Sequence, residues 1–150
     1  MMSIIPWYNR LISLSRYTYR MIHQEEQTKV GEIRRVFIVD DDESIGRALT
    51  FLLKTYGYEV KAFLSGKEFL LSVPESEQGC LILDVHMPEM DGWEVLRRIT
   101  SRGSKRCVIV VTANKDGDHH EKALQAGAIG FLLKPLNTDA LIELIDQSFK

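Results

Sequence analysis

Val36-Phe37-Ile38-Val39-Asp40-Asp41 is the stretch from which the rest of the chain is read: four apolar residues, three of them β-branched, stopping at two carboxylates. The pattern recurs. Cys80-Leu81-Ile82-Leu83 runs into Asp84, Val108-Ile109-Val110-Val111 into Thr112, and Ile129-Gly130-Phe131-Leu132-Leu133 into Lys134-Pro135. Short continuous apolar runs separated by helical patterns read as strands buried on both faces of a parallel sheet. In an open α/β sheet the groove outside the carboxyl ends of the strands is where chemistry sits. Asp40, Asp41, Asp84, Thr112 and Lys134 are therefore expected on one spot. Three carboxylates, a hydroxyl and an ammonium suit a hard divalent cation and a phosphoryl group.

Working outward, a β-α alternation repeats five times from Arg34 onward. Strand one covers roughly 34–39, and Ser44 to Tyr56 carries a helical pattern (Ile45, Leu49, Leu52, Leu53) closed by Gly57. Tyr58 to Phe63 alternates like a strand, and Ser65 caps a helix over Lys67 to Ser72. After strand three, Pro88 to Gly92 is a loop into the helix Trp93 to Thr100, and Ser101 to Lys105 returns the chain to strand four. Asp118 is placed to cap a helix ending at Ala126, where Gly127 stops it. A last helix runs from about Thr138 to Phe149. Five βα units predict a flavodoxin-like, doubly wound five-stranded parallel sheet in the order 2-1-3-4-5, with helices on both faces.

The bulk composition sets limits. At 150 residues the chain is one domain with a short appendage, read as an extension over 1–30 and a domain over 31–150. A hydrophobic fraction of 45% with 27% charged residues is that of an ordinary soluble protein. The formal charge of −2 offers no argument for nucleic acid. Cys80 and Cys107 begin predicted core strands and are expected to be buried free thiols in a reducing cytosol. No run of about 18 apolar residues exists to span a membrane.

Residues 1 to 29 differ from the rest. They hold Trp7, Tyr8, Tyr17 and Tyr19 with Arg10, Arg16 and Arg20, and no acid before Glu25. Three readings stay open: an extra helix (Ile4, Tyr8, Leu11, Ile12), a true start at Met21, or a basic interfacial helix. Membrane contact is the least expected of the three.

Five segments together carry a family resemblance: Val39-Asp40-Asp41, Ile82-Leu83-Asp84-Val85-His86-Met87-Pro88-Glu89-Met90-Asp91-Gly92, Val111-Thr112-Ala113, Ala126-Gly127-Ala128 and Lys134-Pro135. Residues 34–150 resemble, over essentially their whole length, the receiver domain of a bacterial two-component response regulator. That resemblance implies that Asp84 is the phosphoacceptor and that Asp40 and Asp41 are the acidic metal-binding pair. It makes Thr112 the switch hydroxyl, Phe131 the switch aromatic, Lys134 the phosphate-pairing lysine and the His86 backbone carbonyl a further ligand. It implies Mg²⁺ as cofactor, a sensor histidine kinase or phosphotransfer protein as donor, and a downstream protein partner on the 118–149 face. A phosphorylation-dependent homodimer is compatible with it. The expected module is a stand-alone, cytoplasmic phosphoacceptor. It is not an enzyme, although it assists its own phosphorylation and dephosphorylation. It is not expected to bind nucleic acid directly.

The residues make chemical sense on their own. A carboxylate ending a buried strand can attack phosphorus and form an aspartyl phosphate. Charge then accumulates on the attacking and equatorial oxygens, so a cation must offset it. Mg²⁺ takes six oxygens and keeps several waters, with Asp41 and Asp84 direct ligands and Asp40 one through water. Lys134 is a point charge on a flexible stem. Read alone, Asp40-Asp41-Asp42 is an N-cap cluster, Thr112 a plain strand end and Lys134-Pro135 a surface turn. Around Asp84 they form a set, with Asp42 as the cap. His119 and His120 are expected on a solvated helix face, and His86 at the phosphoryl pocket. The Lys134-Pro135 bond is expected to be cis. Two rivals remain: a phosphohydrolase resembling the haloacid-dehalogenase group, which would place Asp where His86 stands, and a receiver-shaped module that works without phosphorylation.

Overall fold

The computed structural model describes residues 32–115 and 117–150. The expectations for 1–30, including the extra helix and the Met21 start, lie outside the described residues. Five parallel strands form one sheet: β1 (Arg35–Val39), β2 (Glu59–Phe63), β3 (Cys80–Asp84), β4 (Cys107–Thr112) and β5 (Gly130–Leu133). Their order is β2-β1-β3-β4-β5, as the alternating pattern predicts. Helices α1 (Glu43–Thr55), α2 (Gly66–Ser72), α3 (Gly92–Ser101), α4 (His119–Gln125) and α5 (Thr138–Ser148) follow the strands in turn.

Side chains alternate across each strand, and the two faces build two cores. Val36, Ile38, Ile82, Ile109 and Val111 pack under α1 and α5 through Leu49, Leu53, Leu141, Ile142 and Ile145. Phe37, Val39, Leu81, Leu83, Val108 and Val110 pack under α2, α3 and α4 through Phe69, Val95, Leu96, Ile99 and Ala123. β3 is buried at every residue, Asp84 included, because it lies at the centre of the sheet.

Caps set the helix starts. Asp42 accepts from the Ser44 amide, Ser65 from Glu68, Asp91 from Glu94 and Asn137 from Ala140. Asp118 is an exception: it precedes α4, but its side chain makes no capping bond. Gly127 ends α4 with φ +99, in the left-handed region that favours glycine. Gly92 is needed for a different reason. A Cβ there would sit 2.3 Å from the Asp84 carbonyl oxygen and 2.6 Å from the Val85 Cα. Glycine at this position lets α3 begin directly against the end of β3. The cysteine expectation needs a correction. Both thiols are free, but only Cys80 is fully buried; Cys107, near the end of α5, stays partly exposed.

Candidate phosphoacceptor site

The carboxyl ends of β1, β3, β4 and β5 supply the expected residues. Asp40 follows β1 and is 3% exposed; Asp84 ends β3 at 4%. Lys134 follows β5 across a cis Lys134-Pro135 bond, as expected. Its Nζ donates to Asp40 Oδ2 at 2.7 Å and to Asp84 Oδ2 at 3.1 Å. The second oxygen of each carboxylate is held by backbone. Asp42 N–H donates to Asp40 Oδ1 at 2.9 Å, and His86 N–H to Asp84 Oδ1 at 3.0 Å. Thr112 ends β4, fully buried, and its Oγ1 accepts from the Asn114 amide at 3.1 Å. Its carbonyl accepts from Lys134 N–H at 2.8 Å, so the ends of β4 and β5 are tied together beside the site.

Burial pushes the Asp84 carboxyl above its ordinary value, and the Asp40 charge adds to this. The bonds from His86 and Lys134 oppose the shift without cancelling it. Burial works against the Lys134 charge, but hydrogen bonds and charges from Asp40 and Asp84 outweigh it and hold the ammonium above its usual range. Asp84 is thus a desolvated carboxylate whose negative charge is partly neutralised by a lysine.

Asp40, Asp41 and Asp84 each bring a carboxylate oxygen within 4.8 Å of the other two. All are hard oxygen donors, and Asp41 is solvent-exposed while the other two are buried. Such a set fits a small divalent cation that keeps waters on its open side.

Residues 36–146 match the family model of the response regulator receiver domain. This chain is a member of that family. The response regulator protein TmoT of Ectopseudomonas mendocina is 38% identical over 128 residues, which cover 85% of this chain and 56% of that protein. The transcriptional regulatory protein FixJ of Rhizobium meliloti (strain 1021) is 35% identical over 113 residues, covering 75% and 55%. The chain therefore spans about half the length of the curated relatives it matches. Among solved structures, FixJ-N superposes with a TM-score of 0.72 at 34% identity, covering 78% of this chain and 94% of that one. A response regulator receiver protein from Burkholderia phymatum is 42% identical with a TM-score of 0.68, covering 77% and 94%.

In this receiver domain Phe131 lies on β5, in register with Val110 and partly buried. Of the two helix histidines, His120 is exposed as expected, and His119 is half-buried. His120 stacks on Phe131 with ring centroids 5.6 Å apart, and His119 stacks on Trp93 at 6.1 Å, contacts the sequence reading did not foresee. His86 is exposed, with its ring meeting that of His119 edge-on at 6.1 Å. Two functional contacts escaped the sequence reading. The Lys134 bond to Asp40 joins residues 94 apart and has no local signal. The His86 amide on Asp84 has one, since an Asp two residues before a loop N–H commonly forms an Asx turn. Among the described residues no helix is long and apolar enough to cross a membrane.

Proposed function

We propose that Asp84 accepts a phosphoryl group from a phosphohistidine on a sensor kinase or phosphotransfer protein. The observation that carries this reading is the Asp84 carboxylate itself: nearly buried at a strand end, with Lys134 at 3.1 Å and two further carboxylates beside it. An Asp84 oxygen attacks phosphorus, the P–N bond to the donor imidazole breaks, and the imidazole leaves with a proton. Asp84 becomes a mixed anhydride. Lys134 is placed to pair with the incoming phosphoryl oxygens as they displace its carboxylate contacts. Asp40, Asp41 and Asp84 would hold Mg²⁺, with the His86 carbonyl as a further ligand by family resemblance. Bound there, the cation would supply charge neutralisation for the phosphoryl oxygens.

The product is a signalling state and is not released, so the chain acts as a phosphoacceptor that assists its own chemistry and not as an enzyme with turnover. We read Thr112 and Phe131 as the switch. A hydroxyl drawn toward the phosphoryl group vacates space beside β5, into which the ring can turn, altering the 118–149 face for a cytoplasmic protein partner or a second copy. One charge-assisted hydrogen bond is worth roughly 1.5–3 kcal/mol, enough to move a two-state equilibrium by about ten- to a hundredfold.

Intact-mass measurement after incubation with acetyl phosphate and Mg²⁺ tests the reading. It should show one phosphoryl group per chain, dependent on Mg²⁺. No adduct, or turnover of p-nitrophenyl phosphate well beyond one equivalent, would replace it with the module that works unphosphorylated or with the phosphohydrolase.

A further inference from the structure

The α2–α3 side of the molecule carries charge and apolar surface that the phosphoryl chemistry does not use. From Val95 to Arg106 the sequence has five cations and no acid, in a chain whose formal net charge is −2. Two of them, Arg98 in the last turn of α3 and Arg102 at its C-cap, stand one turn apart on a groove of about 350 Å³ between α2 and α3. Lys67, in the first turn of α2, supplies a third cation from the other helix. Leu70, Leu71 and Met90 complete the lining, and no acid belongs to it. Leu70 and Met90 are anchored on the core of that face, whereas Leu71 is 78% exposed. Gly66 brings the two helices together beside Met90, since a Cβ there would sit 2.3 Å from Val95 Cγ2. The cations are only lightly committed. Arg98 gives its Nε to Glu94 Oε1 at 2.8 Å, and Arg102 Nη1 reaches Glu75 Oε1 at 3.3 Å, with both of those last side chains half exposed. Lys67 has no ion-pair partner among the described residues. Exposed pairs such as Arg102 with Glu75 contribute little, so an incoming carboxylate can take the place of Glu75.

We propose that this groove docks an acidic, amphipathic segment of a partner protein. Its carboxylates would pair with Arg98 and Arg102, and a leucine or phenylalanine beside them would rest on Leu70, Leu71 and Met90. Charge complementarity selects that occupant. Three cations with no acid among them favour an anion, and guanidinium groups one turn apart match carboxylates one turn apart on a helix. The apolar floor argues against nucleic acid, whose phosphates cannot use it. A second copy presenting the same face would set like charges against one another. Arginine and methionine are enriched at protein interfaces, and both line this groove. It shares no residue with the Asp40, Asp41 and Asp84 cluster or with the 118–149 face. Docking here therefore leaves the phosphoacceptor free and does not depend on Asp84 taking a phosphoryl group.

The probe is a fluorescein-labelled synthetic peptide with glutamates one helical turn apart and a leucine and a phenylalanine between them. It is titrated with the full chain at low salt and followed by fluorescence anisotropy. It should bind, and the amide NMR shifts it causes should fall on α2 and α3. Arg102→Glu should weaken binding by about tenfold, and Leu71→Ser by about three- to tenfold. Both side chains are exposed, so neither change unsettles the fold. A peptide with lysines in place of the glutamates should bind Arg102→Glu better than it binds the parent chain, which a loosened fold could not produce. Serine in place of the peptide's leucine and phenylalanine should cost as much as Leu71→Ser. No binding by the acidic peptide overturns the proposal, as does equal binding to Arg102→Glu. Equal or tighter binding of the serine peptide, or of a single-stranded DNA oligonucleotide, would overturn it by making the patch a general polyanion site. A concentration-dependent dimer in sedimentation that Leu71→Ser abolishes would overturn it in favour of a second copy.

Discussion

Lys134→Met removes the ammonium that stands between Asp40 and Asp84, and the structure sets the size of the consequence. The lysine contacts both carboxylates at 2.7 and 3.1 Å, and the three side chains are 17%, 3% and 5% exposed. Taking one partner from a buried charge cluster typically costs about 3–5 kcal/mol, because the remaining charges stay desolvated and uncompensated. Two features pull the value to the lower end. Lys134 keeps some contact with water, and Asp84, already raised by burial, can answer by taking up a proton. We expect a loss of about 3 kcal/mol at neutral pH in EDTA, read as a lower urea midpoint by circular dichroism at an unchanged slope. The loss should shrink as the pH falls into the carboxylate range, where protonation of Asp84 removes the need for a counter-charge. Mg²⁺ should raise both midpoints, by about 1.4 kcal/mol at ten times the dissociation constant. It should raise the variant's more, because that cluster is more negative. A variant as stable as the parent in EDTA, or a deficit that Mg²⁺ does not narrow, would refute the reasoning.

Asp84→Asn tests the same electrostatics from the other side. The folded-state pKa of Asp84 is raised, so its contribution to stability is full below the unfolded value and is lost as pH rises through the folded one. The asparagine variant should therefore be more stable than the parent at neutral pH in EDTA, with the advantage fading on acidification in paired urea titrations. Arg106→Met should cost about 2–3 kcal/mol in urea unfolding. Arg106 is 8% exposed; its guanidinium donates to the Glu77 and Pro74 carbonyls and lies over Phe37 and Phe69, so its loss strands two carbonyls of the 74–79 loop. Thr112→Ala should still take phosphate from acetyl phosphate but lose the phosphorylation-linked NMR shifts across 118–149. A full response in that variant would remove Thr112 from the switch.

What could be read in the sequence follows from how local each signal is. Strands that are apolar at every residue announced a sheet covered on both faces, and the residues ending them marked the site before any contact was known. The caps at Asp42 and Ser65 were legible for the same reason, since each bonds an amide two or three residues on. Asp118 carries the same local signal, but its cap bond does not form, and α4 is packed through Ala123 in the core and through rings from elsewhere in the chain. Those contacts join β3–α3, α3 and α4, and no spacing rule links His86 to His119 or Trp93. Cys107 was misjudged because a strand start does not by itself decide burial: Cys80, its partner in register at the start of β3, is fully buried while Cys107 is not. The Lys134 contact with Asp84 followed from the topology, but its shorter bond to Asp40 needed coordinates.

The central claim is that one carboxylate, at the end of β3, takes the phosphoryl group. Its most direct measurement is the position of the modification: borohydride reduction of the acyl phosphate after acetyl phosphate and Mg²⁺ treatment, followed by peptide sequencing in the mass spectrometer. The account predicts that Asp84 is converted to homoserine, with none in Asp84→Asn or in EDTA. Modification at Asp40 or Asp41 in the unmodified chain, or none at all under Mg²⁺, would contradict it.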